Sequence, residues 1–177
     1  TEGAVENPSV GLANASREAL RMGDLLGQML DLSLQAFLHG DRRLIDTCSD
    51  VDNQIDRLNE AIKLYLTRVS RDLMDSGDHK KIIDLITFTT NLEHAADIVD
   101  KSLIDLAAKK TKYGLKFSAE GLKEIEDIHR RLNANVQLAM NVFMTGDLHL
   151  ARKLFAEKHA FRILEKTASE NHLQRLR

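Results

Sequence analysis

Two acidic ladders stand out in the chain. Asp52 and Asp56 lie four residues apart in Asp52-Asn53-Gln54-Ile55-Asp56, and Glu93-His94-Ala95-Ala96-Asp97 repeats the spacing. On a helix this stacks both carboxylates one turn apart on one face. Asp100 falls a further turn along the second ladder. Like charges at i,i+4 repel unless a cation lies between them. If the ladders face each other, they form an oxygen-rich site for a hard or borderline divalent or ferric cation. The alternative is a solvated acidic flank neutralised by Arg57, Lys63, Arg68 or Arg71. Ala95 and Ala96 leave room for a close helix or an ion, and equally are good helix formers.

Other candidates carry less. His94 is adjacent to Glu93, so its side chain points about 100° away from the ladder, toward solvent. Glu126 and His129 form a Glu-x-x-His pair. A carboxylate di-iron site needs two such pairs and two further glutamates, so a lone pair in a charged helix reads as chance. Cys48 falls on an apolar stripe and reads as a buried thiol. Nucleophile elbows, glycine-rich phosphate loops and cysteine metal clusters are missing from the sequence. Lys109, Lys110 and Lys112 suit the end of a helix, where positive charge meets the dipole.

Elements of helical character must position the ladders. The chain has 177 residues, no Trp, two Tyr and one Pro, and it is rich in Leu, Ala and Ile. No run alternates strictly enough to read as a strand. The net charge of −2 is spread along the chain, which argues against a nucleic-acid partner. A single cysteine precludes an intrachain disulfide and suits a reducing, cytoplasmic compartment. No apolar run reaches the roughly 18 residues that a membrane-spanning helix needs, and no signal peptide is visible. The chain starts at Thr1 without methionine, as a fragment or processed product would, and a missing segment could be membrane-embedded.

Five long helices follow from the patterning. Residues 1–7 read as a loose arm, and Pro8 as the first helical residue, with Asn14 or Ser16 as an alternative start. Leu20, Met22, Leu26, Met29, Leu30, Ser33, Leu34 and Phe37 mark the first apolar face, closed by Gly40. Asp41 caps a second helix reaching about Ser76, with Leu44, Cys48, Val51, Ile55, Leu58, Ile62, Tyr65 or Leu66, Val69 and Leu73 inward. A turn at Gly77-Asp78 opens a third, whose core face is Ile82, Leu85, Ile86, Thr89, Leu92, Ala96, Val99, Leu103 and Leu106. Residues 111–117 break the pattern. Ser118 caps a fourth helix bearing Leu122, Ile125, Ile128, Leu132, Val136, Met140 and Phe143. Gly146-Asp147 opens a fifth, bearing Leu150, Leu154, Phe155, Phe161, Leu164, Ala168 and Leu173.

The chain also repeats itself. Ala36–Asp41 reads AFLHGD and Val142–Asp147 reads VFMTGD, an offset of 106. At that offset Glu18 falls on Glu124, Leu26 on Leu132, Leu34 on Met140, Phe37 on Phe143 and Leu44 on Leu150. A helix–Gly-Asp–helix unit therefore occurs twice. The first copy has a third helix, and the second has no sequence left for one. The expected architecture is all-α: an antiparallel bundle of long helices, with a three-helix repeat at 1–112 and an incomplete two-helix repeat at 113–177, together one domain. A repeat short of a helix exposes an apolar groove, which a second copy of the chain would cover.

Repeat and ladders together resemble the PhoU family, and in particular the PhoU-like soluble domain that follows the membrane part of bacterial sodium/phosphate cotransporters. The resemblance rests on Arg17–Phe37, Asp52–Leu66, Asn91–Val99 and Ala168–Arg177, with Glu18 and Arg21-Met22 its most telling local part. It implies a bundle of two three-helix repeats and a non-catalytic role in controlling phosphate uptake. It implies a transmembrane part, in the same or an associated chain, as partner, a homo-oligomer, and a soluble domain on the cytoplasmic side of the inner membrane. Some members of the family hold iron or zinc clusters on E/DxxxD motifs. The matching metal positions are Asp52, Asp56, Glu93 and Asp97, with Asp100 where the family commonly has Asn, and iron or zinc is the cofactor they would hold. In the second repeat Asp52 falls on Lys158 and Asp56 on Arg162, so no equivalent metal site forms there.

Overall fold

The computed structural model describes residues 8–71 and 76–175, and these fold as an all-helical antiparallel bundle. α1 spans Pro8–His39, α2 Arg42–Arg71 and α3 Ser76–Ile98. A π-helical segment, Val99–Ile104, continues α3 directly into α4, Asp105–Lys112. α5, Ala119–Thr145, and α6, Leu148–Arg175, complete the chain. α1 is the central post. It packs on α2, on the long third helix and on α5, whereas α6 packs chiefly on α5.

The two Gly-Asp corners have the same construction. Gly40 and Gly146 adopt φ of +69° and +63°, left-handed conformations that favour glycine. Their amides donate to Ala36 O and Val142 O, at 2.8 and 2.9 Å. Asp41 then accepts from the Arg43 amide, and Asp147 from the amides of His149 and Leu150, capping α2 and α6. Ser118 caps α5 by accepting from the Gly121 amide at 3.0 Å. Gly77-Asp78 differs: both residues lie inside the first turn of α3, not at a corner between helices. Residues 72–75, including the expected Leu73, lie outside the described residues, as does the arm at 1–7.

The first three helices bury a continuous core. Met22, Met29, Ala36, Cys48, Ile55, Leu66, Thr89 and Ala96 lose essentially all exposure. The expected stripe of the third helix holds up to Val99 and then slips. Ile104 and Ala107 are buried, whereas Leu106, expected inward, is 53% exposed. The cause is the π-turn, whose i→i+5 bonding inserts one residue and moves the inward face from Val99 to Ile104.

α5 joins this core at close range. A side chain at Gly23 would collide with the Met140 thioether, so glycine sets the α1–α5 approach. Phe88 of α3 and Phe143 of α5 stack with centroids 4.0 Å apart. α6 buries no residue fully. Its half-buried face meets α5 through Leu150, Leu154, Phe161, Leu164 and Ala168. Phe155 and Leu173, expected in the same stripe, are exposed at 79% and 60% because they sit on another face of the helix.

Candidate functional site: an acidic cluster between two helices

The site lies where α2 meets the junction of α3 and the π-turn. Ser49 Oγ donates to Asp100 Oδ1 at 2.6 Å, tying the two helices together. One turn along α2, Asp52 is half-buried beneath the second ladder. Its carboxyl is pushed up from the usual 3.8 to about 6, first by burial and then by the negative charges of Asp56, Asp100 and Asp97. Its Oδ1 is shut off from solvent and has no hydrogen-bond partner. Cys48 is fully buried beside it. Desolvation, with Asp100 and Asp52 nearby, pushes its thiol up to about 12, which makes it a core residue and an inert one.

Two helices thus bring Asp52, Asp56, Asp97 and Asp100 into one electrostatic neighbourhood. Glu93 is absent from the charges that act on Asp52; its Oε2 lies 3.5 Å from Nε2 of His94. The cluster does hold a cation of its own. Lys101, on the π-turn, reaches back to Asp97 Oδ2 at 2.5 Å, and this contact, with the surrounding carboxylates, raises the lysine pKa. The neutralising cation is thus Lys101 and not the α2 bases Arg57, Lys63, Arg68 or Arg71, and its signal in the sequence is the Asp97–Lys101 i,i+4 spacing.

The donor set is entirely oxygen, which suits a hard or borderline cation. The orphaned Asp52 Oδ1 would welcome one. As arranged, however, Lys101 engages Asp97 and Ser49 engages Asp100, and among the described residues no three acidic, His or Cys side chains close around a common point. As arranged, the cluster neutralises the Lys101 ammonium. The Glu126–His129 pair forms no part of it. His129 Nδ1 lies 3.1 Å from its own helix carbonyl at Ile125.

Comparison with known proteins follows this geometry. Residues 19–101 match the PhoU domain. The match runs from α1 to the π-turn and contains every acid of the cluster together with Lys101. Similarity to individual proteins extends further. Over 173 residues, 98% of this chain, it is 38% identical to YjbB of Salmonella typhimurium strain LT2. The YjbB proteins of Escherichia coli K12 and O157:H7 match with the same identity and coverage. Each is named as a candidate inorganic phosphate export protein. The chain spans about a third (32%) of the length of these relatives. No solved structure matches it. Among the described residues, no helix is long and apolar enough to cross a membrane.

Proposed function

We propose that the whole chain is a PhoU-type regulatory unit of phosphate transport, acting through helix–helix contacts and not through chemistry of its own. The observation that carries this reading is the end-to-end similarity to one third of proteins named for phosphate export, with the PhoU match lying on the half that holds the acidic cluster. Its division is the one the repeat suggests, 1–112 and 113–177 within one domain. Its partner is a membrane-embedded phosphate transporter, joined to it or separate, and it acts on the cytoplasmic side of the inner membrane. Sodium coupling is the finest step of this reading and rests on the resemblance of the four segments alone.

Purified chain, added to the cytoplasmic face of vesicles carrying only the membrane part of such a transporter, should bind the vesicles and change radiolabelled phosphate flux. Binding to empty vesicles alone, or no change in flux, would refute it. The orphaned Asp52 Oδ1 favours one addition. Iron or zinc, held by Asp52, Asp56, Asp97 and Asp100 with Glu93 at the margin, would replace Lys101 as the neutralising charge. Titration calorimetry on chelator-washed protein should then show uptake that Asp52→Asn removes.

A further inference from the structure

The turn between α4 and α5 sets apolar side chains among lysines on the outside of the bundle. Residues 109–117 read Lys-Lys-Thr-Lys-Tyr-Gly-Leu-Lys-Phe, four lysines without an acid. The turn has a fixed construction. Gly114 closes α4 at φ +62°, and the amides of Tyr113 and Leu115 donate to Lys109 O and Lys110 O, each at 3.0 Å. Phe117 roots the far side of the turn, meeting Phe37 edge-on with centroids 5.2 Å apart. The residue after such a glycine commonly packs back on an apolar side chain of the last helical turn. Here that turn holds Lys109 and Lys110, and Leu115 is left 52% exposed, beside Tyr113 at 65%.

Most of the nearby cations lack a counter-ion. Lys109 pairs with Asp105 and Arg43 with Asp41. Arg42, Lys110, Lys112 and Lys116 make no ion pair among the described residues. Lys110 and Lys112 lie instead over the rings of Phe37 and Tyr113. Arg42 and Lys112 line one hollow between the Gly40 corner and α4, with Asp46 as its acid. The patch thus occupies one end of the bundle, where the Gly40 corner, the end of α4 and the start of α5 meet. A third helix completing the second repeat would leave its tip open. At the offset of 106, Leu115 and Lys116 correspond to Ser9 and Val10, which stay exposed in the first unit although its third helix is present. We propose that this end of the bundle docks on an anionic phospholipid bilayer. Tyr113 and Leu115 enter the headgroup layer, and Arg42, Lys110, Lys112 and Lys116 meet lipid phosphates. The apolar tips stand on a projecting turn with open space around Gly114, which suits a yielding bilayer better than the fitted groove of a partner protein. A nucleic acid would take the lysines and leave Leu115 without a role. A second copy on the same patch would bring like charges together. The inference goes beyond the transport reading and does not rest on it, because bare lipid is the partner.

Co-sedimentation of the purified chain with protein-free vesicles tests it. Binding is expected to phosphatidylcholine vesicles containing about one third phosphatidylglycerol, and it should be largely lost in roughly 0.5 M salt. Phosphatidylcholine alone should not bind, so the transporter experiment above, run in that lipid, reads separately. Each lysine near an anionic surface is worth about fivefold in partitioning, so Lys112→Gln/Lys116→Gln should weaken binding at least about tenfold. Tyr113→Ser/Leu115→Ser should weaken it at least about fivefold with every charge kept. Lys158→Gln/Arg162→Gln, which removes exposed bases of α6, should leave it unchanged, with helicity by circular dichroism the same in all three. The chain has no tryptophan, so Tyr113→Trp supplies a single reporter, whose emission should shift to the blue on the anionic vesicles. Four results overturn the proposal. The first is no binding to the anionic vesicles. The second is binding that Lys112→Gln/Lys116→Gln leaves untouched, or that Lys158→Gln/Arg162→Gln weakens equally. The third is binding without a shift of the reporter. The fourth is tighter capture by polyglutamate or single-stranded DNA than by the vesicles, which assigns the patch to an acidic polypeptide or a nucleic acid.

Discussion

Asp52→Asn should stabilise this protein at neutral pH and do little in acid. The Asp52 carboxyl sits at about 6 in the folded chain, against an ordinary 3.8, so the folded state holds a proton that the unfolded state has shed between those values. Wherever the native state binds more protons, stability falls as pH rises. Asp52 should therefore cost nothing below about pH 4, cost progressively more up to about pH 6, and cost a constant amount above it. A paired carboxylate shows the opposite trend. Each pH unit between the two values is worth about 1.4 kcal/mol, giving an upper bound of about 3 kcal/mol. Solvent reaches one side of the half-buried residue and Lys101 offsets part of the repulsion, which reduces this to roughly 1–2 kcal/mol. Urea unfolding of wild type and variant at pH 4, 5, 6 and 7.5 measures the difference directly. A variant less stable than wild type at pH 7.5, or a difference independent of pH, would refute the electrostatic account of the cluster. The same assay with zinc present probes the ion: a cation seated at Asp52 should raise wild-type stability and leave the variant where it was.

Further expectations follow from particular contacts. Leu106→Asp should change stability by no more than about 0.5 kcal/mol, while Ala107→Asp should cost several kcal/mol by burying an unpaired charge, a contrast that tests the π-turn register in denaturant melts. Glu124 accepts from Asn171 and Arg175 across α5 and α6, and the arginine contact holds its carboxyl below the usual range. Glu124→Gln should accordingly loosen α6 at neutral pH, raising its amide exchange. The effect should fade as pH falls through the lowered Glu124 value, because the clasp is present only while the carboxylate is ionised. Ser118→Ala should cost about 1 kcal/mol through loss of the α5 cap, read from the unfolding midpoint. Gly23→Val should part α1 from α5, seen as faster exchange across α5 and α6 while α2 and α3 stay protected.

Much of this architecture could be read from residue spacing because local signals agree with packing. The Gly40-Asp41 and Gly146-Asp147 corners need a left-handed glycine and an acidic cap, and both requirements are visible as residue types. Gly77-Asp78 offered the same letters, yet both residues fold into the first turn of α3, since the dipeptide permits a corner without compelling one. The stripe of α2 follows helical periodicity and is legible almost residue by residue, whereas on α1 Met22, Leu26, Met29, Leu30 and Ser33 are legible and the buried Leu12, Ala15, Ala19 and Ala36 are not. Past Val99 the period is broken by a single inserted residue, which leaves no compositional trace, so Leu106 looked like core and Ala107 did not. In the site, the one-turn spacing within Asp52/Asp56 and within Glu93/Asp97 is legible in the sequence, but not whether the two ladders face each other. The departure of Glu93 and the arrival of Ser49 depend on how two helices are turned toward each other, which spacing within either one does not specify, whereas Lys101 is signalled by its i,i+4 spacing from Asp97. Phe155 illustrates the same limit on α6. An apolar residue near a helical stripe reads as core until it proves to lie on a face that no described helix covers.

The regulatory claim is tested most directly in cells that carry the natural gene of this chain. Efflux and uptake of radiolabelled phosphate would be followed with and without residues 1–177, at low and high external phosphate. Removal is expected to leave transport running while abolishing its response to phosphate supply. Transport that keeps its full response after the deletion would contradict the account, as would complete loss of transport while the membrane part is still produced and inserted.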